Sequence, residues 1–425
     1  MNIYNNPSRD CWAELCLRPS SGNPALKEKV AAIMQRVKDG SDDALRQLSL
    51  EIDGFAPESF EVGADEIAEA SAKVSDDLKA AIKAAAANIS AFHKAQLPSE
   101  IKIETAPGVT CIQRPVPIGK VGLYIPGGTA PLFSTVLMLA LPAKIAGCPE
   151  TVLCTPAGKD GKVNAAVLYA ASYCGVDRIF KIGGAQAIAA MAYGTASVPR
   201  VDKIFGPGNQ WVTAAKQLAG GRICSIDMPA GPSEVMVIAD ASSQPSYVAA
   251  DLLSQAEHGR DSQVMLVCRS AEFASAVVEE VRRQAATLER ASFVEDALSH
   301  SSTVVLSNVE DIIAFADTYA PEHLIISTAQ PWAIADKVTA AGSVFVGEYT
   351  PESAGDYASG TNHTLPTCGW ARSCSGVNID SFIRKMTLQS ITRDGLTALG
   401  GTIVTMAQAE GLSAHANAVK IRTEK

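Results

Sequence analysis

From about Ile112 to Val346 the chain repeats one unit: a short run of apolar residues, a turn, then a segment with helical spacing. Val121-Gly-Leu-Tyr-Ile leads through Pro126-Gly-Gly into a helical pattern over 132–146, and Thr151-Val-Leu-Cys precedes one over 164–174. Arg178-Ile-Phe-Lys-Ile is followed by 186–193, Lys203-Ile-Phe by 212–218 through Gly206-Pro-Gly-Asn, and Ile223-Cys-Ser-Ile closes this first run. A second run begins at Glu234-Val-Met-Val-Ile with a helix over 245–258, and continues with Val264-Met-Leu-Val and 271–288. Thr303-Val-Val-Leu then pairs with 309–319, Leu324-Ile-Ile with 332–338, and Ser343-Val-Phe-Val ends it. Short apolar strands alternating with helices require a parallel sheet covered on both faces. The expectation is an α/β protein with two doubly wound, incomplete Rossmann-like parallel-sheet domains. No repeat is visible at the level of residues.

At 425 residues the chain is long enough for two or three domains. Residues 1–20 read as an arm, and 24–96 as helices over 25–39, 42–52, 64–73 and 75–96. The boundaries expected are an arm at 1–20, one domain from 21–120 with 234–376, a second at 121–233, and a small helical tail at 377–425. Within that tail helical segments are expected over 382–388 and 395–409, then a piece carrying His415. Residues 349–376 are rich in Gly, Ser, Thr and Pro and read as a long irregular segment, a length that in compact domains is usually functional or disordered; Asp356 and His363 within it favour function.

Composition excludes several classes. Net charge is −9, with 36 basic and 45 acidic residues and no basic block, which argues against nucleic acid or anionic membrane as a partner. The first residues lack a basic and an apolar region of the secretory kind. The most apolar stretch, 131–147, is interrupted by Ser134, Thr135, Pro142 and Lys144 and is too short to span a bilayer. Ten cysteines occur with no Cys-x-x-Cys pair, the pattern of reduced thiols in a cytoplasmic protein. Cys111 and Cys154 are candidate nucleophiles on paper, but Cys154 sits in an apolar strand and reads as a packed thiol.

Histidine is scarce, with six in the chain. Gln255-Ala-Glu-His258 ends a helical run, and residues three apart lie on one helix face, separated by ~60° around the axis. An amide oxygen and an imidazole nitrogen can therefore converge on one point. Pro321-Glu322-His323, Gly360-Thr-Asn-His363, Leu412-Ser-Ala-His415 and Ser353-Ala-Gly-Asp356 are the other polar clusters. Any one of them alone reads more readily as a helix cap or a hydrogen-bonded surface histidine; together they have the mixed imidazole, amide and carboxylate character that zinc accepts. Two Gly-rich turns, at Tyr124-Ile-Pro-Gly-Gly and Phe205-Gly-Pro-Gly-Asn209, follow strands and precede helices, where backbone N–H groups bind phosphate. Neither is Gly-x-Gly-x-x-Gly, so a tight turn needing glycine for steric reasons stays equally open for each.

These strings, with Asp227-Met-Pro-Ala-Gly-Pro-Ser-Glu, Ser254-Gln-Ala-Glu-His-Gly, Ala320-Pro-Glu-His-Leu, Gly355-Asp-Tyr and Glu410-Gly-Leu-Ser-Ala-His, closely resemble the histidinol dehydrogenase family from about residue 20 to the end. The resemblance implies NAD-linked oxidation of L-histidinol to L-histidine through L-histidinaldehyde. It implies zinc on Gln255, His258, Asp356 and His415, one ion per subunit. Substrate contacts fall on Ser233, His323, His363 and Glu410 together with the four metal ligands, and NAD contacts on Tyr124, Gln186 and Asn209. It further implies a homodimer whose C-terminal tail completes the partner's site. Arg260 stands where relatives often carry Pro, and the N-terminal arm matches least well.

Two hydride removals with water added between them need a base at the hydroxyl and a group that activates water. His323, ordinarily titrating near pH ~6.5, suits the first, and the neighbouring carboxylate of Glu322 the second. Two rivals remain at this stage: a cysteine-dependent aldehyde dehydrogenase, which would need an essential thiol, and a non-catalytic zinc-dependent binding protein or a homologue adapted to another amino alcohol.

Overall fold

The computed structural model describes residues 1–19, 24–127, 131–229 and 231–424. Its strands are β1 (Asn2–Asn5), β2 (Ile101–Ala106), β3 (Val109–Pro117), β4 (Lys120–Tyr124), β5 (Glu150–Thr155), β6 (Arg178–Lys181) and β7 (Lys203–Phe205). They continue with β8 (Ser225–Ile226), β9 (Glu234–Ala239), β10 (Gln263–Cys268), β11 (Ser302–Val305), β12 (His323–Ser327), β13 (Ser343–Val346) and β14 (Ile383–Ile391). β4–β8 form a parallel sheet in the order β6-β5-β4-β7-β8. β9–β13 form a second, in the order β11-β10-β9-β12-β13, with β1 added beside β11. Apart from β1 the two sheets are wound identically: the first strand of each run lies at the centre and the order reverses beside it. The central strands of both are almost wholly buried, with β9 and β10 buried at every position, while the edge strands β1, β8 and β13 are partly exposed. The two doubly wound layers read from the strand rhythm are therefore present.

The N-terminal arm is part of the second sheet. β1 pairs in parallel with β11, Asn2 opposite Ser302, and Trp12 packs edge-on to Phe315 with ring centroids 5.3 Å apart. The helices that follow depart from the expected boundaries. Helix Pro24–Ile52 packs on Gly184–Tyr193 and Gln210–Ala219, while Ala64–Lys73 and Asp76–Lys94 pack on Ala165–Tyr173 and Phe133–Ala146. They cover the first sheet, not the 234–376 layer to which sequence assigned them. An amphipathic pattern fixes which face of a helix is buried but not the partner that buries it. The expected division of this first segment into two helices is present: at Ser41 the backbone leaves the helical region (φ 49°, ψ −134°), so Pro24–Ile52 is two helices joined across a kink.

A second departure lies in the tail. The segment expected to be helical over 382–388 is instead β14, which pairs antiparallel with β3, Ile383 opposite Pro117, while β2 pairs with β3 on its other side. Helices Arg393–Ala409 and Ser413–Thr423 then pack on one another. The irregular segment expected over 349–376 contains the short helix Glu352–Tyr357.

The junction between the tail and the first sheet is apolar. Phe382, fully buried, stacks on Phe205 with centroids 4.1 Å apart and planes 14° from parallel. Removing a buried aromatic ring costs its transfer energy plus that of the cavity left behind. Phe382→Ala is expected to lower stability by about 3–5 kcal/mol, measured as an earlier chemical-denaturation midpoint; an unchanged midpoint would mean the tail is not anchored there.

Candidate active site

A continuous cleft of about 1610 Å³ runs between the two parallel sheets. One wall is the carboxyl end of the first sheet: Tyr124, Pro126, Gly127, Pro156, Gly183, Gly184 and the Gly206-Pro-Gly-Asn209 turn. The other is the amino end of the second: Ser233 immediately before β9, Glu322 immediately before β12, and His258 beyond the helix that returns from β9. Ligands in doubly wound sheets usually sit at carboxyl ends. Here one layer contributes that edge and the other contributes the opposite one.

On the first wall, Gly206 has φ 124°, and a Cβ there would lie 2.1 Å from the Tyr124 carbonyl oxygen, so no side chain is tolerated. The turn is pinned from below: Gly206 N–H donates to Asp227 Oδ2 (2.8 Å) and buried Lys216 donates to the Gly206 carbonyl (2.8 Å) while pairing with Asp227 at 2.5 Å. Asn209 caps helix Gln210–Ala219, its Oδ1 accepting from Trp211 N–H (3.0 Å) and Val212 N–H (3.2 Å). The buried hydroxyl of Tyr124 accepts from Gly184 N–H (3.0 Å) at the start of helix Gly184–Tyr193, and burial pushes its pKa up to about 12. Two helix N-termini thus open onto one crevice, an arrangement suited to a dinucleotide pyrophosphate. Gln186 is 1% exposed and does not line the cleft; it sits behind Gly184, its Nε2 3.5 Å from Asp53 Oδ2.

On the second wall, two single helical turns face each other. Gln255 and His258 stand at the end of helix Pro245–Ala256 and just beyond it; Glu352 and Asp356, four apart, share a face of helix Glu352–Tyr357. One donor atom from each of His258, Glu352 and Asp356 lies within 4.8 Å of the others, a spacing that can hold a metal ion. Asp356 Oδ2 is 4.0 Å from His258 Nε2, and its Oδ1 is 3.6 Å from His323 Nε2. Both Asp356 Oδ1 and His323 Nε2 are buried without a hydrogen-bond partner. Buried polar atoms of this kind are costly unless a ligand satisfies them, so the donor set fits a divalent cation with a bound substrate. Gln255, fully buried, has partners for both ends of its amide when the NH2 group faces Glu352: it donates to that carboxylate, and its oxygen accepts from Glu234 N–H (3.0 Å). Glu352 is a member that sequence reasoning missed, because it belongs to no His or Gly motif. Its spacing from Asp356 was the available signal, hidden by reading 349–376 as irregular.

His323 sits among three carboxylates. Its Nδ1 is 3.6 Å from Glu322 and 3.7 Å from Glu352, and 3.3 Å from the Glu234 carbonyl. Burial alone would hold this imidazole neutral, but Glu352, Glu322 and Asp356 outweigh it and push its pKa to about 10. Burial also raises the Glu322 carboxyl to about 8, partly offset by the His323 charge and by the N–H of Glu234, which donates to Glu322 Oε2 (2.9 Å). His363 is the opposite case. Its Nδ1 lies 2.9 Å from the Asp356 carbonyl, which can only accept, so that nitrogen carries the proton and Nε2 accepts from the Thr135 hydroxyl at 3.1 Å. Burial lowers its pKa and keeps it neutral.

The structure therefore brings Gln255, His258, Glu322, His323, Asp356 and His363 together, with Ser233 on the same cleft. It does not bring in Glu410 or His415: both are exposed where the two tail helices meet, away from the cleft lining. Cys154 is fully buried and its thiol is pushed up by burial, while Cys16 and Cys368, which do line the cleft, are raised to about 11. No thiolate nucleophile is available among them.

A family model described as histidinol dehydrogenase matches residues 17–423. The chain belongs to the histidinol dehydrogenase family. It is 53% identical over 422 residues to a histidinol dehydrogenase of Bacteroides thetaiotaomicron, covering 99% of each chain, and 50% identical over 422 residues to that of Salmonella typhimurium, covering 99% of this chain and 96% of that one. A crystal structure of histidinol dehydrogenase from Elizabethkingia anophelis superimposes with a TM-score of 0.96 at 49% identity, over 99% of this chain and 98% of that one. An NAD-dependent aldehyde dehydrogenase from Sinorhizobium meliloti shares the fold alone, with a TM-score of 0.51 at 13% identity. Membership of this family makes the chain an enzyme, an oxidoreductase, and sets aside the reading as a non-catalytic binding protein. Among the described residues no helix is long and apolar enough to cross a membrane.

Two outcomes follow from the cluster. Glu352→Gln is expected to weaken divalent-metal binding by at least about 10-fold, measured by equilibrium dialysis with zinc; unchanged affinity would remove Glu352 from the metal centre. Because the folded pKa of His323 lies above its ordinary 6.5, its stabilising charge is fully present below pH 6.5 and lost as pH rises toward about 10. Imidazole nitrogen resonances of the metal-free protein should accordingly show one histidine still protonated at pH 8, absent in His323→Asn; titration of every histidine below pH 7 would contradict the carboxylate cage.

Proposed function

We propose that the enzyme oxidises L-histidinol to L-histidine through L-histidinaldehyde, the last step of histidine biosynthesis, using NAD and one zinc ion per subunit. The observation that carries this reading is the continuity of the cleft: its glycine turns and its carboxylate–imidazole cluster face one chamber. Both oxidations of one carbon can then occur without release of the aldehyde. The names carried by relatives at about half identity support the substrate.

His258 and Asp356 would hold the zinc with Glu352 beside them, and Gln255 would join them by turning its amide oxygen from Glu234 N–H toward the ion. Zinc would supply a clamp for the amine and imidazole nitrogens of the substrate, and NAD an acceptor for two electrons at each step. Everything else falls to the chain. His323, enclosed by Glu322, Glu352 and Asp356, takes the hydroxyl proton once the charge of those carboxylates is engaged by bound ligands. Glu322, its carboxyl raised to about 8 chiefly by burial, takes a proton from the water that adds to the aldehyde, and the N–H contact from Glu234 keeps the carboxylate aimed. The overall conversion consumes one alcohol, one water and two NAD, and yields the carboxylate, two NADH and protons. Tyr124, Gln186 and Asn209 are assigned to the NAD side, with Gln186 acting from behind Gly184. Ser233, His363 and the metal ligands are assigned to substrate.

Glu410 and His415 fit this scheme as groups supplied by a partner subunit in a homodimer. The tail hairpin that carries them leaves Met406, Leu412 and Ile421 exposed at 61%, 43% and 65%, apolar surface suited to burial against a second chain. All ten cysteines are free, in keeping with a reducing cytoplasm.

The test is a steady-state assay of the zinc-loaded enzyme with histidinol, in which two NADH should form per substrate consumed. Glu322→Gln should retain zinc and histidinol binding while losing about 100-fold or more in aldehyde oxidation, with a smaller loss in alcohol oxidation. One NADH per histidinol would refute the four-electron reading, and equal losses in both half-reactions would remove Glu322 from water activation.

A further inference from the structure

The N-terminal arm ends on a residue that reaches the active-site frame. The Arg18 side chain, 10% exposed, makes a forked pair with the carboxylate of Glu234, itself 1% exposed, through Nε (3.2 Å) and Nη2 (2.7 Å). The same guanidinium donates to the carbonyl of Tyr319 (2.7 Å) and to that of Cys16 (2.8 Å), and its centre lies 3.7 Å from the Tyr319 ring centroid.

The two residues it grips carry the proton-handling pair between them. Glu234 N–H donates to Glu322 Oε2 (2.9 Å), and the Glu234 carbonyl lies 3.3 Å from His323 Nδ1. Tyr319 is the last residue of helix Val309–Tyr319, and Ala320, at φ 50°, and Pro321 alone separate it from Glu322. The Glu234 carboxylate also accepts from Cys368 N–H, on the segment that follows His363. One guanidinium thus ties the start of β9 to the helix end from which β12 departs. Lysine cannot reproduce this: an ammonium offers a point charge where the fork grips a carboxylate and a carbonyl at fixed angles.

We propose that Arg18 is a positioning residue for the reaction, fixing Glu322 and His323 through Glu234 and Tyr319 without touching substrate. The proposal rests on the roles assigned above to Glu322 and His323. It gives the arm a function that its edge strand alone does not require. The same arm supplies an internal control, because Arg9 pairs with Asp311 at the surface, with side chains 68% and 27% exposed, and touches neither segment of the pair.

The experiment uses the full-length, zinc-loaded enzyme and compares Arg18→Lys, Arg18→Ala and Arg9→Ala. Measured are kcat and KM for histidinol and histidinaldehyde, zinc content, and thermal melting. A misplacement of about 1 Å at reacting groups costs on the order of 100-fold in rate. Arg18→Lys should keep its zinc and its melting transition, hold KM within about threefold, and lose kcat by at least about tenfold. Arg18→Ala should regain part of its kcat when methylguanidinium is added, which a loss of folding alone would not permit. Arg9→Ala should match the parent. A folded, zinc-replete Arg18→Lys with undiminished kcat overturns the proposal, as does an Arg18→Ala whose lost activity tracks lost zinc and fold and is not rescued. Glu322→Gln and His323→Asn in the same assays separate the two layers of argument. If both retain full kcat, the assigned roles fail and the Arg18 proposal falls with them. If they are impaired while Arg18→Lys is not, the positioning role alone is refuted.

Discussion

Four ionisable groups, Glu322, His323, Glu352 and Asp356, cluster with little exposure, the imidazole in the middle. Three carboxylates this close cannot all remain charged in such surroundings unless positive charge is placed among them. The chain supplies some through His323 and leaves the remainder to whatever binds beside His258 and Asp356. Unpaired atoms on Asp356 and His323 mark where that compensation is missing. The fold around the pocket is organised to hold this arrangement against its own repulsion. The backbone of Glu234 contacts Glu322 and His323, the turn Glu352–Tyr357 carries Glu352 and Asp356, and the Arg18 fork grips Glu234 and Tyr319 behind them.

The position of the pocket follows from how the layers meet. Both sheets are wound in the same order, yet the first presents its carboxyl edge to the cleft and the second its amino edge. At a carboxyl edge the following helices offer N–H groups, which favour phosphates; at an amino edge the preceding helices end, and side chains rather than backbone amides must do the recognition. The division of labour across the crevice, glycine turns on one wall and carboxylates with imidazoles on the other, is what helix polarity predicts.

Much of this was legible in the residues. Strands β4–β13 announce themselves by apolar runs because both faces of a parallel sheet are buried. The Gln255–His258 turn, the Glu322–His323 pair and Asp356 were readable from spacing and from the rarity of histidine. The antiparallel strands were not. In β14, Arg384, Lys385, Thr387 and Gln389 interrupt the apolar positions, and its strand state is imposed by pairing with β3, more than 260 residues earlier in the chain. The packing of the early helices on the first sheet and the convergence of Glu352 on His258 are also tertiary outcomes, with no local sequence rule to mark them. Glu410 was identified by resemblance alone and His415 by its polar cluster together with the resemblance, and a single chain keeps both on its surface.

The pairing of Asn2 with Ser302 carries a consequence for biogenesis. A ribosome makes the first strand long before the strand it must join, so during synthesis that segment waits as an unmatched edge. The frame that orients the reactive pair closes late, after most of the polypeptide has emerged. Extensions fused ahead of Met1 would therefore act on maturation of the enzyme, at a step well before any substrate is met.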